Sequence, residues 1–230
     1  MEQNNENSII QRARQGDQDA ISRLYNETKN YAYFVARRYL QNDEDIADVL
    51  QEVYISVFSK LDTFEDGRPF KPWLHSIVTN KCLNFIKSRR AVFVSQDEIG
   101  EFASDDEEII PASWLERAEK RRDIIRIIDS LPEGQRMAVT LFYFEGLSIA
   151  EISEAMGVAE GTVKAHLYYG RKTIKEEVLR EEKKGNKLYS IVPIPLLTQL
   201  FELEAETTVM PETMSQKVWE GTLQELVSTA

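Results

Sequence analysis

The spacing of apolar residues predicts an all-α protein, with two helical domains joined by an acidic linker and followed by a C-terminal extension. Three observations carry this. Ile46, Val49, Leu50, Val53, Val57, Phe58 and Leu61 recur at i, i+3, i+4 spacing, the stripe of a helix that faces a core. Residues 131–175 read as short helices around a glycine turn. Between these regions, residues 91–111 are acidic and show no periodicity, as a linker would.

Taken in order, MEQNNEN is polar and expected to be disordered, and Ser8 to Gln15 makes a short helix that Gly16 and Asp17 interrupt. Asp19 to Leu40 is a longer helix, with Ile21, Leu24, Tyr25, Tyr31, Phe34, Val35 and Tyr39 at helical spacing. Asn42, Asp43 and Asp45 form a turn and an acidic cluster, which suits the dipole of the next helix, Asp45 to Leu61. Its stripe leaves Asp48, Gln51, Glu52 and Tyr54 at the edge or outside. The loop DTFEDGRPFKP holds too much proline and glycine for a helix. Trp73 to Arg90 resumes one, apolar at Trp73, Leu74, Ile77, Val78, Phe85 and Ile86. Beyond the linker, Ser113 to Ser130 is amphipathic, and Leu131-Pro132 ends it, because a residue before proline leaves the helical region. It is expected to pack on a helix from Gly134 to Glu145.

Ser148 to Met156 then carries an N-terminal signature, Ser148 with Glu151 three residues on, the capping-box spacing. Gly157 ends this helix, and a second starts near Glu160 and runs past Lys172. This is a helix-turn-helix plan, whose second helix enters the DNA major groove. Ile149, Ile152 and Met156 face inward from the first helix, and Val163, Leu167 and Ile174 from the second. Left outward are Thr162, Lys164, His166, Tyr169, Arg171 and Lys172, groups able to meet phosphates and base edges. A plain helical hairpin with a solvated outer face is the competing reading.

Composition bounds the rest. A chain of 230 residues suits one or two domains, and its 42% hydrophobic and 29% charged fractions are those of a globular protein. One cysteine, Cys82, excludes an intramolecular disulfide and reads as a small buried residue. No signal sequence opens the chain and no apolar run reaches the roughly 18 residues of a spanning helix, so a cytoplasmic location is expected. The net charge of −11 opposes strong DNA affinity, but basic residues cluster at 81–90 and 164–187 while acids gather at 96–108 and in the tail. Two distant histidines, no phosphate-binding glycine loop and no spaced ligand set point away from an enzyme, a metal site, a cofactor or a small-molecule substrate.

The segment LPEGQRMAVTLFYFEGLSIAEISEAMGVAEGTVKAHLYYGRK resembles domain 4, the −35-reading domain of sigma-70 family factors, and specifically the extracytoplasmic-function (ECF) group. Where family members often carry arginines, this chain has His166 and Tyr169. DIADVLQEVYISVF resembles the segment that docks on the clamp coiled coil of the polymerase β′ subunit, which implies that Asp48, Gln51 and Glu52 contact β′. TFEDGRPFKPWLHSIVTNKCLNFIKSRR is similar to the −10-recognition and melting segment of domain 2. Melted DNA needs aromatic platforms, cationic tracks and base pockets. By that resemblance, the −10 residues are Phe64, Phe70, Trp73, Asn80, Lys81, Asn84, Lys87, Arg89 and Arg90, with Trp73 equally readable as core.

The resemblance divides the chain into domain 2 at 8–90, a linker at 91–111, domain 4 at 112–184 and an extension of open role at 185–230. It implies promoter DNA and core RNA polymerase (β′ clamp and β flap) as partners, and an anti-sigma protein, often membrane-bound. The alternative is a stand-alone helix-turn-helix regulator, which leaves ADVLQEVY and FKPWLHSIVTNKCLNFIKSRR without explanation. Leu196, Leu197, Leu200 and Phe201 of the extension need burial. They could pack on domain 4, bind a regulator or occlude the DNA face.

Overall fold

The computed structural model describes residues 2–89, 118–183 and 196–228, which contain ten α-helices and no strand. Arg90, the linker 91–111, Trp114 and Leu115 of the expected helix 113–130, and residues 188–195 lie outside the described residues. The chain divides into two compact units, Met1–Ser88 with Thr208–Ala230, and Arg89–Thr207.

The first unit holds α1 (Glu2–Arg14), α2 (Gln18–Tyr39), α3 (Asp43–Ser59), a 3₁₀ turn Leu61–Thr63, α4 (Phe70–Arg89) and α10 (Glu212–Ser228). The first helix starts at Glu2, so the expected disorder of the first seven residues is corrected. Ile9 and Ile10 are buried and anchor it, and extending an anchored helix costs far less than nucleating one. Gly16 turns the chain at φ 80°, and Asp17 caps α2 by accepting from the backbone N–H groups of Asp19 and Ala20. Arg12 donates to the same carboxylate at 2.7 Å and, with the capping bonds, holds Asp17 below its usual pKa. Asn42 caps α3 in the same way, three residues before the expected start at Asp45. The fourth helix begins at Phe70, three residues before the expected Trp73, because Pro72 falls in its first turn, where a missing N–H has no partner to lose. Fully buried Phe34, Ile46, Leu50, Val53, Leu74 and Val78 form the core, with Cys82 among them.

The second unit holds α5 (Ala118–Asp129), α6 (Glu133–Val139) running into a π-helical turn Thr140–Phe144, α7 (Ile149–Met156), α8 (Glu160–Lys183) and α9 (Leu196–Thr207). Gly170 lets α8 approach α6 closely, since a Cβ there would stand 3.0 Å from the Val139 side chain. Phe201 of α9 is fully buried and its ring packs on Phe144 at 5.1 Å. Of the burial sites open to the extension, this apolar residue therefore takes the body of the second unit. The helix that follows belongs to the first unit, where it packs on α3. None of the described helices is long and apolar enough to cross a membrane.

Candidate nucleic-acid interface

The helix-turn-helix is built by local chemistry. The Ser148 hydroxyl accepts from the Glu151 N–H at 3.3 Å, and the Glu151 carboxylate accepts from the Ser148 N–H at 2.8 Å. The Ser148 hydroxyl also donates to that carboxylate at 2.7 Å, and this bond, with the one from the Ser148 N–H, holds the Glu151 carboxyl below its ordinary pKa. Gly157 takes φ 67°, and the N–H groups of Gly157 and Val158 close on the Ser153 carbonyl, a left-handed C-cap. Ile152, Met156, Val163, Leu167 and Ile174 are buried as the apolar pattern requires, whereas Ile149 is half-buried.

On α8 the structure sorts the outward set. Lys164, Tyr169 and Lys172 are exposed, and Thr162 is half-buried in the first turn. His166 and Arg171, read as outward, are corrected: both are half-buried against their own unit. Each flanks the buried stripe, His166 between Val163 and Gly170 and Arg171 between Leu167 and Ile174. The imidazole lies where a Cβ on Gly134 would come within 2.7 Å of its ring. Arg171 donates from Nε to the Tyr143 hydroxyl at 2.7 Å and lies 5.5 Å from the Phe142 ring centroid. Burial raises the Tyr143 pKa, and the guanidinium opposes that rise. The exposed basic face is thus narrower than the sequence suggests.

On α4, Asn80, Asn84, Lys87 and Arg89 are exposed, and Lys81 is half-buried. Trp73, Asn80, Asn84 and Lys87 fall at three- and four-residue steps or their sums, so they line one face of the helix. Phe64 and Phe70 are buried and offer no ring face to a base. With Trp73 they form a cluster whose ring centroids stand 5.3 to 5.4 Å apart. Trp73 is the half-buried outer member, both packed and partly open. His75 is bonded through Nδ1 to the Tyr31 hydroxyl at 2.8 Å.

On α3, Asp48 and Glu52 are exposed and Gln51 is half-buried. Tyr54, read as lying at the edge or outside, is fully buried, which corrects that placement. Its hydroxyl meets Thr28 Oγ1 at 3.0 Å and its ring meets Tyr25 edge-on at 4.7 Å. Burial drives its pKa upward. Glu52 pairs with Lys81 of α4 at 3.1 Å, which joins the candidate polymerase face to the candidate −10 face. Asp48 pairs with Lys217 of α10 at 3.2 Å. The sequence reading gave Lys217, Val218 and Trp219 no role, although it expected a helix around Val218–Val227. The only signal was helical spacing through Met214, Val218 and Thr222, all three buried here.

Comparison with known proteins places these modules. The model for Sigma-70 region 2 matches residues 24–92, and that for Sigma-70 region 4 matches residues 121–174. The ECF RNA polymerase sigma-E factor of Escherichia coli (strain K12) is 32% identical over 184 residues, covering 77% of this chain and 96% of that relative. The ECF RNA polymerase sigma factor SigW of Bacillus subtilis (strain 168) is 26% identical over 178 residues, covering 74% and 94%. Among solved structures, CnrH in complex with the cytosolic domain of CnrY matches with a TM-score of 0.41 and 20% identity, over 76% of this chain and 98% of that one.

Proposed function

The chain belongs to the ECF group of sigma-70 family RNA polymerase sigma factors, and on that premise we propose how its residues divide the work of promoter selection. A sigma factor is not an enzyme; bond formation belongs to the polymerase. The observation that carries the division is the separation of exposed charge by element. Acceptors at Asp48, Gln51 and Glu52 lie on α3, while donors and cations lie on α4 and α8.

In this reading α3 offers Asp48, Gln51 and Glu52 to basic helices of the β′ clamp, and the second unit engages the β flap. The α4 face of Trp73, Asn80, Asn84 and Lys87 follows the melted −10 strand, with Lys81 and Arg89 beside it as phosphate partners. A base held unstacked no longer favours reannealing, so its capture shifts the duplex toward the open state. The exposed Lys164, Tyr169 and Lys172 of α8, with Thr162 at its start, meet the −35 duplex. His166 and Arg171 position this helix on its unit. The protein acts in the cytoplasm, and an anti-sigma protein, membrane-bound in many such pairs, withholds it from polymerase. A stand-alone helix-turn-helix regulator is not favoured, because it leaves the region 2 match unexplained.

In vitro transcription with purified bacterial core polymerase and a genomic promoter pool tests the assignment. Discrete, protein-dependent starts sharing −35 and −10 elements are expected. Asp48→Lys with Glu52→Lys should reduce holoenzyme formation in a pull-down while helicity is kept. Unchanged holoenzyme yield in that variant would remove α3 as the polymerase face.

A further inference from the structure

The α3 face assigned to polymerase is already occupied, by α10. Lys217 Nζ sits 3.2 Å from Asp48 Oδ1, and a Cβ placed on Gly221 would overlap the side-chain amide of Gln51. Two of the three assigned residues are therefore touched by the extension. Beside them Val218 and Thr222 are fully buried, and the Trp219 ring stacks on Tyr25 at 4.8 Å and 30°. It also meets Phe58 of α3 edge-on at 6.5 Å. Polar bonds fix the other end of the helix. The Tyr25 hydroxyl donates to the Ser215 carbonyl at 2.7 Å, Lys29 Nζ to Ser215 Oγ at 3.0 Å, and the Met210 N–H to Asn30 Oδ1 at 3.0 Å.

We propose that α10 is a built-in competitor for core polymerase, a helix of this chain seated on α2 and α3 that must leave before the holoenzyme can form. The inference rests on the assignment of Asp48, Gln51 and Glu52 to the polymerase. Its logic is that the two occupants share the same contact residues. The clamp element expected on this face is a basic helical coiled coil, and α10 is a helix that places a lysine ammonium against Asp48. One carboxylate and one amide cannot serve both at once. Covalent attachment gives α10 an effective concentration that a separate partner must overcome by affinity. The seat is also releasable. The Lys217–Asp48 pair is 54% and 63% exposed and so holds little, which leaves Val218, Trp219 and the Ser215 bonds as the anchors. Nor does the region 2 module as a family need the helix. SigW is covered over 94% of its length by 74% of this chain, and both family models end by residue 174.

The experiment measures binding of the full-length protein to purified bacterial core polymerase. Val218→Asp with Trp219→Ala puts a charge and a void where α10 is anchored. This variant should bind at least about tenfold more tightly than the parent, because the intramolecular competitor is removed. Gln51→Cys with Gly221→Cys does the reverse. The cysteines replace the two groups in closest approach, and the native Cys82 is buried. The oxidised, cross-linked form should bind at least about tenfold more weakly than the same protein after reduction, since α10 can no longer leave. Equal affinities in both comparisons, or weaker binding by the released variant, overturn the proposal. If the released variant misfolds, the cross-linked pair decides alone, because it compares one protein in two redox states. Asp48→Lys added to the released variant separates the two layers. Lower affinity there without any gain on release leaves the polymerase face standing and removes only the role of α10. No effect of Asp48→Lys removes the polymerase face, and the competitor reading with it.

Discussion

Lys164 and Arg171 are separated by two turns of α8, yet they meet different surroundings. Lys164 is exposed, whereas Arg171 donates to Tyr143 and leans on Phe142. Substituting Arg171 therefore removes a donor from the part-buried Tyr143 hydroxyl. A loss of about 1.5–3 kcal/mol is expected, the range for a hydrogen bond to a charged group. Arg171→Ala should lower the thermal midpoint of the full chain by several degrees, and Lys164→Ala should not. Lys164→Ala should instead weaken binding to a −35 duplex with the melting curve unchanged. Equal midpoints for the two variants would return Arg171 to the DNA-facing set. A second expectation concerns the turn before α7. Ser148→Ala removes the N-cap, which typically stabilises a helix by ~1 kcal/mol. Because the Glu151 pKa is depressed in the folded state, its contribution is present above the ordinary glutamate range and is lost as pH falls through the folded value. In Ser148→Ala the Glu151 carboxyl should titrate at higher pH by NMR, and the acid limb of stability should become shallower. An unmoved titration would mean that Ser148 is not the cause of the depression.

At the scale of elements, the loop before α4 is organised by rings rather than by the loop's own backbone. Phe64, Phe70 and Trp73 pack together, and Arg14 of α1 reaches across to the carbonyl of Leu61 at 2.9 Å and the Asp66 carboxylate at 2.8 Å. Phe70→Ala should cost about 3–5 kcal/mol, as emptying a core phenylalanine site does, and lower the thermal midpoint with it. Asn84→Ala should leave the melting curve and holoenzyme formation intact while shortening open-complex lifetime. If Phe70→Ala matched Asn84→Ala in both respects, Phe70 would be a base platform after all. Such pairs show what was legible in the sequence. The helix-turn-helix could be read because Ser148, Glu151 and Gly157 act within a few residues of one another. The stripe on α3 could be read because periodicity reports a buried face directly. What covers a face is a different matter. Tyr54 was misplaced because its cover comes from Tyr25 of α2, and Tyr25 in turn is stacked by Trp219. That last contact joins residues far apart in the chain, which no local pattern encodes. His166 and Arg171 were misread for a related reason. Residues beside a buried stripe go inward or outward according to what lies opposite, here Gly134 and Tyr143.

At the scale of the whole molecule, charge decides how DNA binding must work. The chain carries a net charge of −11, and the exposed cations assigned to −35 contact on α8 are Lys164 and Lys172. Each phosphate neutralised contributes about −0.9 to the slope of log affinity against log salt for duplex DNA. The free protein should therefore bind a −35 duplex weakly, with a slope of about −2. Repulsion between the remaining acids and the duplex lowers the affinity further and is itself screened by salt, which flattens the slope rather than steepening it. On the proposed assignment, polymerase cations and the α4 residues Lys81, Lys87 and Arg89 join the same DNA in the holoenzyme, so the slope should at least double. Fluorescence anisotropy across a salt series, for free protein and holoenzyme on one promoter fragment, gives both values. Lys172→Ala should reduce the free-protein slope by roughly one, the share of a single phosphate contact. A free-protein slope as steep as that of the holoenzyme would mean that a basic surface beyond α8 reads the duplex.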